Sequence, residues 1–156
     1  MLHEQKVNFV DFDEKLNKAG QILAQYAPTL VVAYLFGSAA TGQTTPLSDI
    51  DIAILVIEPA NHNSSEKNDQ LQKIETKIHL DLMNVFGTEK IDLLNLNEAP
   101  LRIQYGALRN KKLIYCSDQE RRIDFETAVL MNYLDFKPFR EQYNREFFLR
   151  IQETDQ

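Results

Sequence analysis

Val31-Val32-Ala33-Tyr34-Leu35-Phe36-Gly37-Ser38, ten residues, then Asp49-Ile50-Asp51-Ile52-Ala53-Ile54-Leu55-Val56-Ile57 is the stretch on which the fold turns. Both apolar runs are rich in β-branched and aromatic residues and have the length of buried strands. Between them Thr41-Gly42-Gln43-Thr44-Thr45-Pro46-Leu47-Ser48 reads as a polar turn that carries the chain back to the sheet. Two neighbouring strands joined by a small-residue turn are therefore expected at the centre of the molecule.

The residues at the junctions carry chemistry. Gly37 has no Cβ, so a triphosphate can come close to its backbone. Ser38 adds a hydroxyl, and Ala39 and Ala40 open a helix whose first N–H groups favour an anion. Strand side chains alternate, so Asp49 and Asp51 are expected on one face, with Ile50 and Ile52 on the other. Two carboxylates at the mouth of an apolar strand repel each other and are costly to desolvate without a cation. Mg²⁺ suits this donor set, because it takes oxygen ligands and is usually shared between one or two carboxylates, water and substrate phosphates. A third acid is expected on a neighbouring strand, and Lys90-Ile91-Asp92-Leu93-Leu94-Asn95-Leu96 supplies Asp92. The plainer alternatives are a solvated strand edge or a structural cation site for Asp49 and Asp51, and the polar face of an edge strand for Asp92. Asp81 is expected on helical surface.

Leu35-Phe36-Gly37-Ser38 … Ser48-Asp49-Ile50-Asp51-Ile52 resembles the signature of the polymerase-β-like nucleotidyltransferase superfamily. More narrowly, the chain resembles the minimal nucleotidyltransferases (the MNT group), which include the antitoxins of the HEPN/MNT toxin–antitoxin system. The likeness covers about residues 20 to 116. It implies an α/β (α+β) fold, a small mixed sheet flanked by helices, with a C-terminal helical tail. It also implies that Gly37 and Ser38 hold the nucleotide phosphates, that Asp49 and Asp51 ligate magnesium, and that Asp92 completes the site near the incoming hydroxyl. By the same resemblance the activity is transfer of AMP from ATP to a tyrosine of a HEPN ribonuclease toxin, which neutralises it as a partner. Many minimal members carry arginines in the turn where this chain has Ala39 and Thr41, while Ala40 and Gly42 match. Two other functions fit the same residues: transfer to a small hydroxylated molecule, as in antibiotic-modifying relatives, and neutralisation of a partner by binding alone.

Size and charge narrow the field. The 156 residues make one nucleotidyltransferase domain, expected over 1–116, and a helical extension over 117–156, packed on it or on a partner. A net charge of −6, from 23 acids against 17 bases, argues against broad nucleic-acid binding and permits steering toward a basic protein. Cys116 is the only cysteine, so no intramolecular disulfide is possible. His3, His62 and His79 are scattered and are expected at surface or capping positions rather than around zinc. No run reaches the roughly 18 apolar residues of a membrane span, and the start has no signal-peptide pattern, so a cytoplasmic protein is expected.

The remaining elements follow from periodicity. Residues 1 to 10 are expected as an irregular lead-in. Phe12, Leu16, Ala19, Leu23 and Tyr26 predict a helix closed by Pro28, and Leu71, Ile74, Ile78, Leu82, Val85 and Phe86 a second, stopped by Gly87. Glu58 to Ser65 reads as a polar connection. Glu98 to Arg109 reads as a helix with Pro100 in its first turn, and Leu113 to Cys116 as a strand at the sheet edge. Arg102, Arg109, Lys111 and Lys112 form a basic patch, read as a solvated helix end, with contact to the triphosphate or acceptor as the alternative. Ser117-Asp118-Gln119-Glu120 matches a capping box. Beyond it Ile123, Ala128, Leu130, Tyr133 and Leu134 pattern one helical piece, and Pro138 is expected to interrupt or kink it. Phe139, Tyr143, Phe147 and Ile151 pattern a further helix, whose stripe is divided between core packing and contact with a partner chain.

Overall fold

The computed structural model describes residues 7–58 and 63–154. His3, His62 and parts of the expected lead-in and polar connection lie outside the described residues. The elements run α1 (Phe12–Leu23), a 3₁₀ turn (Ala24–Tyr26), β1 (Leu30–Phe36), α2 (Gly37–Thr41), β2 (Ile50–Val56), α3 (Ser64–Phe86), β3 (Ile91–Asn95), α4 (Leu101–Arg109), β4 (Lys112–Cys116) and α5 (Gln119–Thr154).

β1 and β2 are the inner strands because their side chains are apolar on both faces; all but Phe36 and Asp51 are buried. The sheet order is β3-β2-β1-β4. β1 is antiparallel to both β2 and β4, and β2 is parallel to β3. A parallel pair needs a long crossover, which α3 provides.

Two apolar layers follow from the alternation of the strands. On one face Ala33, Leu35, Ile50, Ile52 and Ile54 meet Leu16, Ala19 and Leu23 of α1 and Leu71, Ile78, Leu82 and Phe86 of α3. α1 comes close enough to β4 that a Cβ on Gly20 would stand 2.8 Å from the carbonyl oxygen of Ile114. The opposite face carries Val32, Tyr34, Ala53 and Leu55, packed with Leu96 and Ala107 and flanked by Leu108 and Phe125. Asn97 fastens the end of β2, accepting from the Val56 N–H at 2.9 Å and donating to the Val56 carbonyl at 2.8 Å.

Three local expectations are corrected. α4 begins at Leu101 with Pro100 just outside it, so Glu98 and Ala99 belong to the preceding turn. The capping box does not form: the Ser117 hydroxyl donates to the Leu30 carbonyl at 2.6 Å, and the Asp118 carboxylate caps the helix by accepting from the Arg121 N–H at 3.1 Å. α5 is continuous through Pro138. The lost N–H and the freed carbonyl one turn earlier lie on a solvent-facing stretch, where water can satisfy the backbone.

The inward face of α5 also differs from the expected one. Val129 is buried, and Arg122, Phe125, Glu126 and Tyr133 are half-buried, whereas Ile123, Leu130 and Leu134 face outward. Tyr133 stacks on Tyr105 of α4 with ring centroids 3.7 Å apart. Further along, Phe139, Tyr143, Phe147, Phe148 and Ile151 are all exposed. This half of the helix contributes nothing to the described core.

Candidate active site

β1 ends at Phe36, and the chain turns at Gly37 with φ +67, a left-handed conformation that favours glycine. Space imposes the same residue: a Cβ there would lie 2.2 Å from Oδ2 of Asp51. The following turn, α2, packs Ala39 and Ala40 against the first apolar layer. The Ser38 carbonyl accepts from the Gln43 N–H at 3.1 Å and the Thr41 hydroxyl at 3.3 Å, which fixes the loop. Ser48 closes its far end, its hydroxyl accepting from the Thr45 N–H at 2.9 Å.

The expected acids are placed as follows. Asp51 lies within β2, paired with Phe36 of β1 on one side and with Asp92 of β3 on the other. Asp49 is one residue ahead of β2 and exposed, so the strand is shorter than expected at this end. Asp92 is exposed as well, on the edge strand β3. Asp51 is the recessed member of the group. Burial pushes its carboxyl above the ordinary range, and the charges of Asp92 and then Asp49 push it further.

Among the described residues no three Asp, Glu, His or Cys side chains stand close enough to enclose a metal ion. Asp51 and Asp92 stand in adjacent register, with Asp49 two residues ahead of Asp51, an open group that would leave most positions around a cation to water and phosphate. That donor set fits magnesium, which seldom takes an all-protein cage, and the mutual repulsion felt by Asp51 is what a divalent cation relieves.

Asp81 stands apart from this group. Its carboxylate accepts from the Tyr26 hydroxyl and from Gln25 Nε2, the latter at 2.9 Å. The Tyr26 phenol is pushed up to about 12, by burial first and by Asp81 second. His79 holds the Ile91 carbonyl through Nε2 at 2.9 Å and serves the β3 edge.

The structure adds a cluster on the same face of the sheet as Asp51. The buried Tyr34 donates its hydroxyl to Glu126 of α5. Lys111 Nζ lies 3.6 Å from Glu126 Oε2 and 5.7 Å from the centre of the Tyr34 ring. Burial, then Glu126, raises the Tyr34 phenol far above its ordinary value. The sequence carried one signal of this cluster: a tyrosine in the middle of an otherwise aliphatic strand needs a partner for its hydroxyl.

A glycine turn feeding a row of strand carboxylates, on a mixed sheet of this order, defines a nucleotidyltransferase. The family described as Polymerase beta, Nucleotidyltransferase matches residues 17–120, and the chain belongs to it. The sequence is 29% identical over 110 residues to the protein adenylyltransferase MntA of Aphanizomenon flos-aquae (strain 2012/KM1/D3), covering 70% of this chain and 73% of that one. The fold is similar to that in a crystal structure of a toxin–antitoxin with AMP-PNP, at TM-score 0.63 and 21% identity over 85% of this chain and 98% of the other. It is also similar to a chain in the complex of tri-AMPylated Shewanella oneidensis HEPN toxin with MNT antitoxin, at TM-score 0.58 and 20% identity, covering 87% and 98%. Among the described residues no helix is long and apolar enough to cross a membrane.

Proposed function

We propose that this chain is a magnesium-dependent nucleotidyltransferase of the minimal type, an antitoxin that transfers AMP from ATP to a tyrosine of a HEPN ribonuclease toxin. The register pairing of Asp51 with Asp92 beneath the Gly37 turn carries the reading. It is supported by the likeness to an adenylyltransferase and to chains from toxin–antitoxin complexes with AMP-PNP and with an AMPylated toxin.

In this reading Gly37 and Ser38 receive the phosphates, and Asp49, Asp51 and Asp92 would hold magnesium together with water and the nucleotide phosphates. When bound, the metal would supply charge neutralisation at the α-phosphate and the departing pyrophosphate. The tyrosine oxygen bonds to the α-phosphorus as the bond to the β-phosphate oxygen breaks, and pyrophosphate leaves. Asp92, exposed at the edge strand β3, takes the proton of the incoming hydroxyl. The residues 117–156 extension offers the exposed stripe Phe139, Tyr143 and Phe147 to the toxin.

Intact-mass spectrometry of the toxin, co-expressed with wild type or with the Asp49→Ala/Asp51→Ala variant, tests the assignment. Whole adenylate steps with wild type only are expected. An unmodified toxin that co-purifies with both forms would replace transfer by inhibition through binding, which the open stripe on α5 also permits.

A further inference from the structure

A triphosphate entering beside Asp49, Asp51 and Asp92 meets three acids on a chain of net charge −6. The turn that receives it contributes no cation, since α2 reads Gly-Ser-Ala-Ala-Thr. Any fixed positive charge within reach of the β- and γ-phosphates therefore comes from elsewhere in the fold.

The sheet register locates one. Lys112 pairs with Leu35, and Phe36 pairs with Asp51, which pairs with Asp92. Lys111 is the residue just ahead of β4, and continuing the antiparallel register by one position sets it level with Phe36, toward the row of Asp51 and Asp92. The distance across to Asp51 is two strand spacings, about 10 Å between backbones. The contact of Lys111 with Tyr34 and Glu126 puts its ammonium on the face that Asp51 shares. It also lines a cleft of about 250 Å³ between α4 and α5, with Tyr105, Arg109, Glu126 and Val129.

We propose that Lys111 is the residue of this chain that holds the β- and γ-phosphates of the nucleotide, and that Glu126 keeps it in place until the nucleotide arrives. The inference rests on the nucleotidyltransferase reading. Glu126 does not lose its compensation when Lys111 turns to phosphate. It still accepts the Tyr34 hydroxyl, and Arg122 Nε lies 4.0 Å from its Oε1. That Arg122 nitrogen is buried and has no hydrogen-bond partner, so a small shift closes the pair that Lys111 vacates. The ammonium is a compact, rotatable donor suited to such a transfer between carboxylate and phosphate.

The test is calorimetric binding of AMP-PNP and of AMP, each with magnesium, to the full chain and its Lys111→Gln and Lys111→Arg variants. The glutamine variant is expected to bind AMP-PNP about tenfold more weakly, the size of one charge-assisted hydrogen bond, with AMP unaffected and with arginine restoring most of the loss. Equal affinities of wild type and Lys111→Gln for AMP-PNP would overturn the role of Lys111 and leave the transferase reading standing. A parallel loss for AMP would reduce Lys111 to a structural residue. A wild-type chain that binds neither nucleotide would overturn both.

Discussion

Asp51 and Asp92 are direct register partners across the parallel pair β2–β3, held there by two backbones rather than by flexible side chains. Their carboxylates are neighbours before any ligand arrives. Ionising Asp51 therefore costs the native state, through burial first and the two neighbouring acids second.

The sign of that cost gives a stability prediction. A carboxyl raised above its ordinary 3.8 favours folding while it is protonated, and that contribution is lost as pH rises through the raised value. Asp51→Asn cannot ionise, so it should unfold at a higher temperature than wild type at pH 7. The advantage should shrink as pH falls toward 3.8. Magnesium should raise the melting temperature of wild type more than that of the variant. A variant less stable than wild type at pH 7 would contradict the repulsion.

The same replacement should remove activity. Groups that merely orient metal ligands already cost about 10- to 100-fold when changed, so loss of Asp51 or Asp49 should exceed about 100-fold in turnover with the fold retained. Circular dichroism beside single-turnover transfer to the toxin would check both halves of the statement.

Gly37→Ala meets two obstacles at once. Left-handed backbone costs a residue with a side chain roughly 1–2 kcal/mol, and the new methyl collides with Oδ2 of Asp51. The carboxylate is the more mobile partner and should swing aside. A modest fall in the urea midpoint is expected together with a drop in turnover larger than strain alone explains. Unchanged turnover would mean that the Asp51 position tolerates displacement.

Tyr34→Phe removes the buried hydroxyl that Glu126 accepts. Glu126 retains Lys111 and Arg122 nearby, so the loss should sit near the lower end of an unsatisfied buried group, about 1–2 kcal/mol. Denaturant unfolding measures it directly.

Phe139→Ser, Tyr143→Ser and Phe147→Ser together should leave melting temperature and nucleotide binding near wild type, because these side chains are exposed and touch no described core. Co-purification with the toxin should be lost. Retained complex would move the interface to another surface.

The central strands were legible because Val31 to Phe36 and Ile50 to Ile57 leave no other way to bury so many β-branched residues. The buried stripes of α1 and α3 were legible for the same reason, Gly37, Asp49 and Asp51 lie at the strand ends their spacing indicated, and Asp92 lies in a strand as expected. The orientation of α5 was not. Its inward face carries Arg122 and Glu126, which a hydrophobic count assigns to solvent, and their reason for being inside is Tyr34, 92 residues away in the case of Glu126. Pro138 misled in the other direction: a helix break is forced only where the freed carbonyl has no water to meet.

The parallel pairing of β2 and β3 also sets an order of assembly. β1, the Gly37 turn and Asp51 form from a contiguous stretch, but Asp92 joins them only after the 23 residues of α3 have crossed back over the sheet. During synthesis the Gly37 turn and Asp51 therefore precede Asp92, and the exposed stripe of α5 emerges after both. A chain truncated before β3 would hold Asp49 and Asp51 without Asp92, and one truncated after β4 all three acids without the exposed stripe.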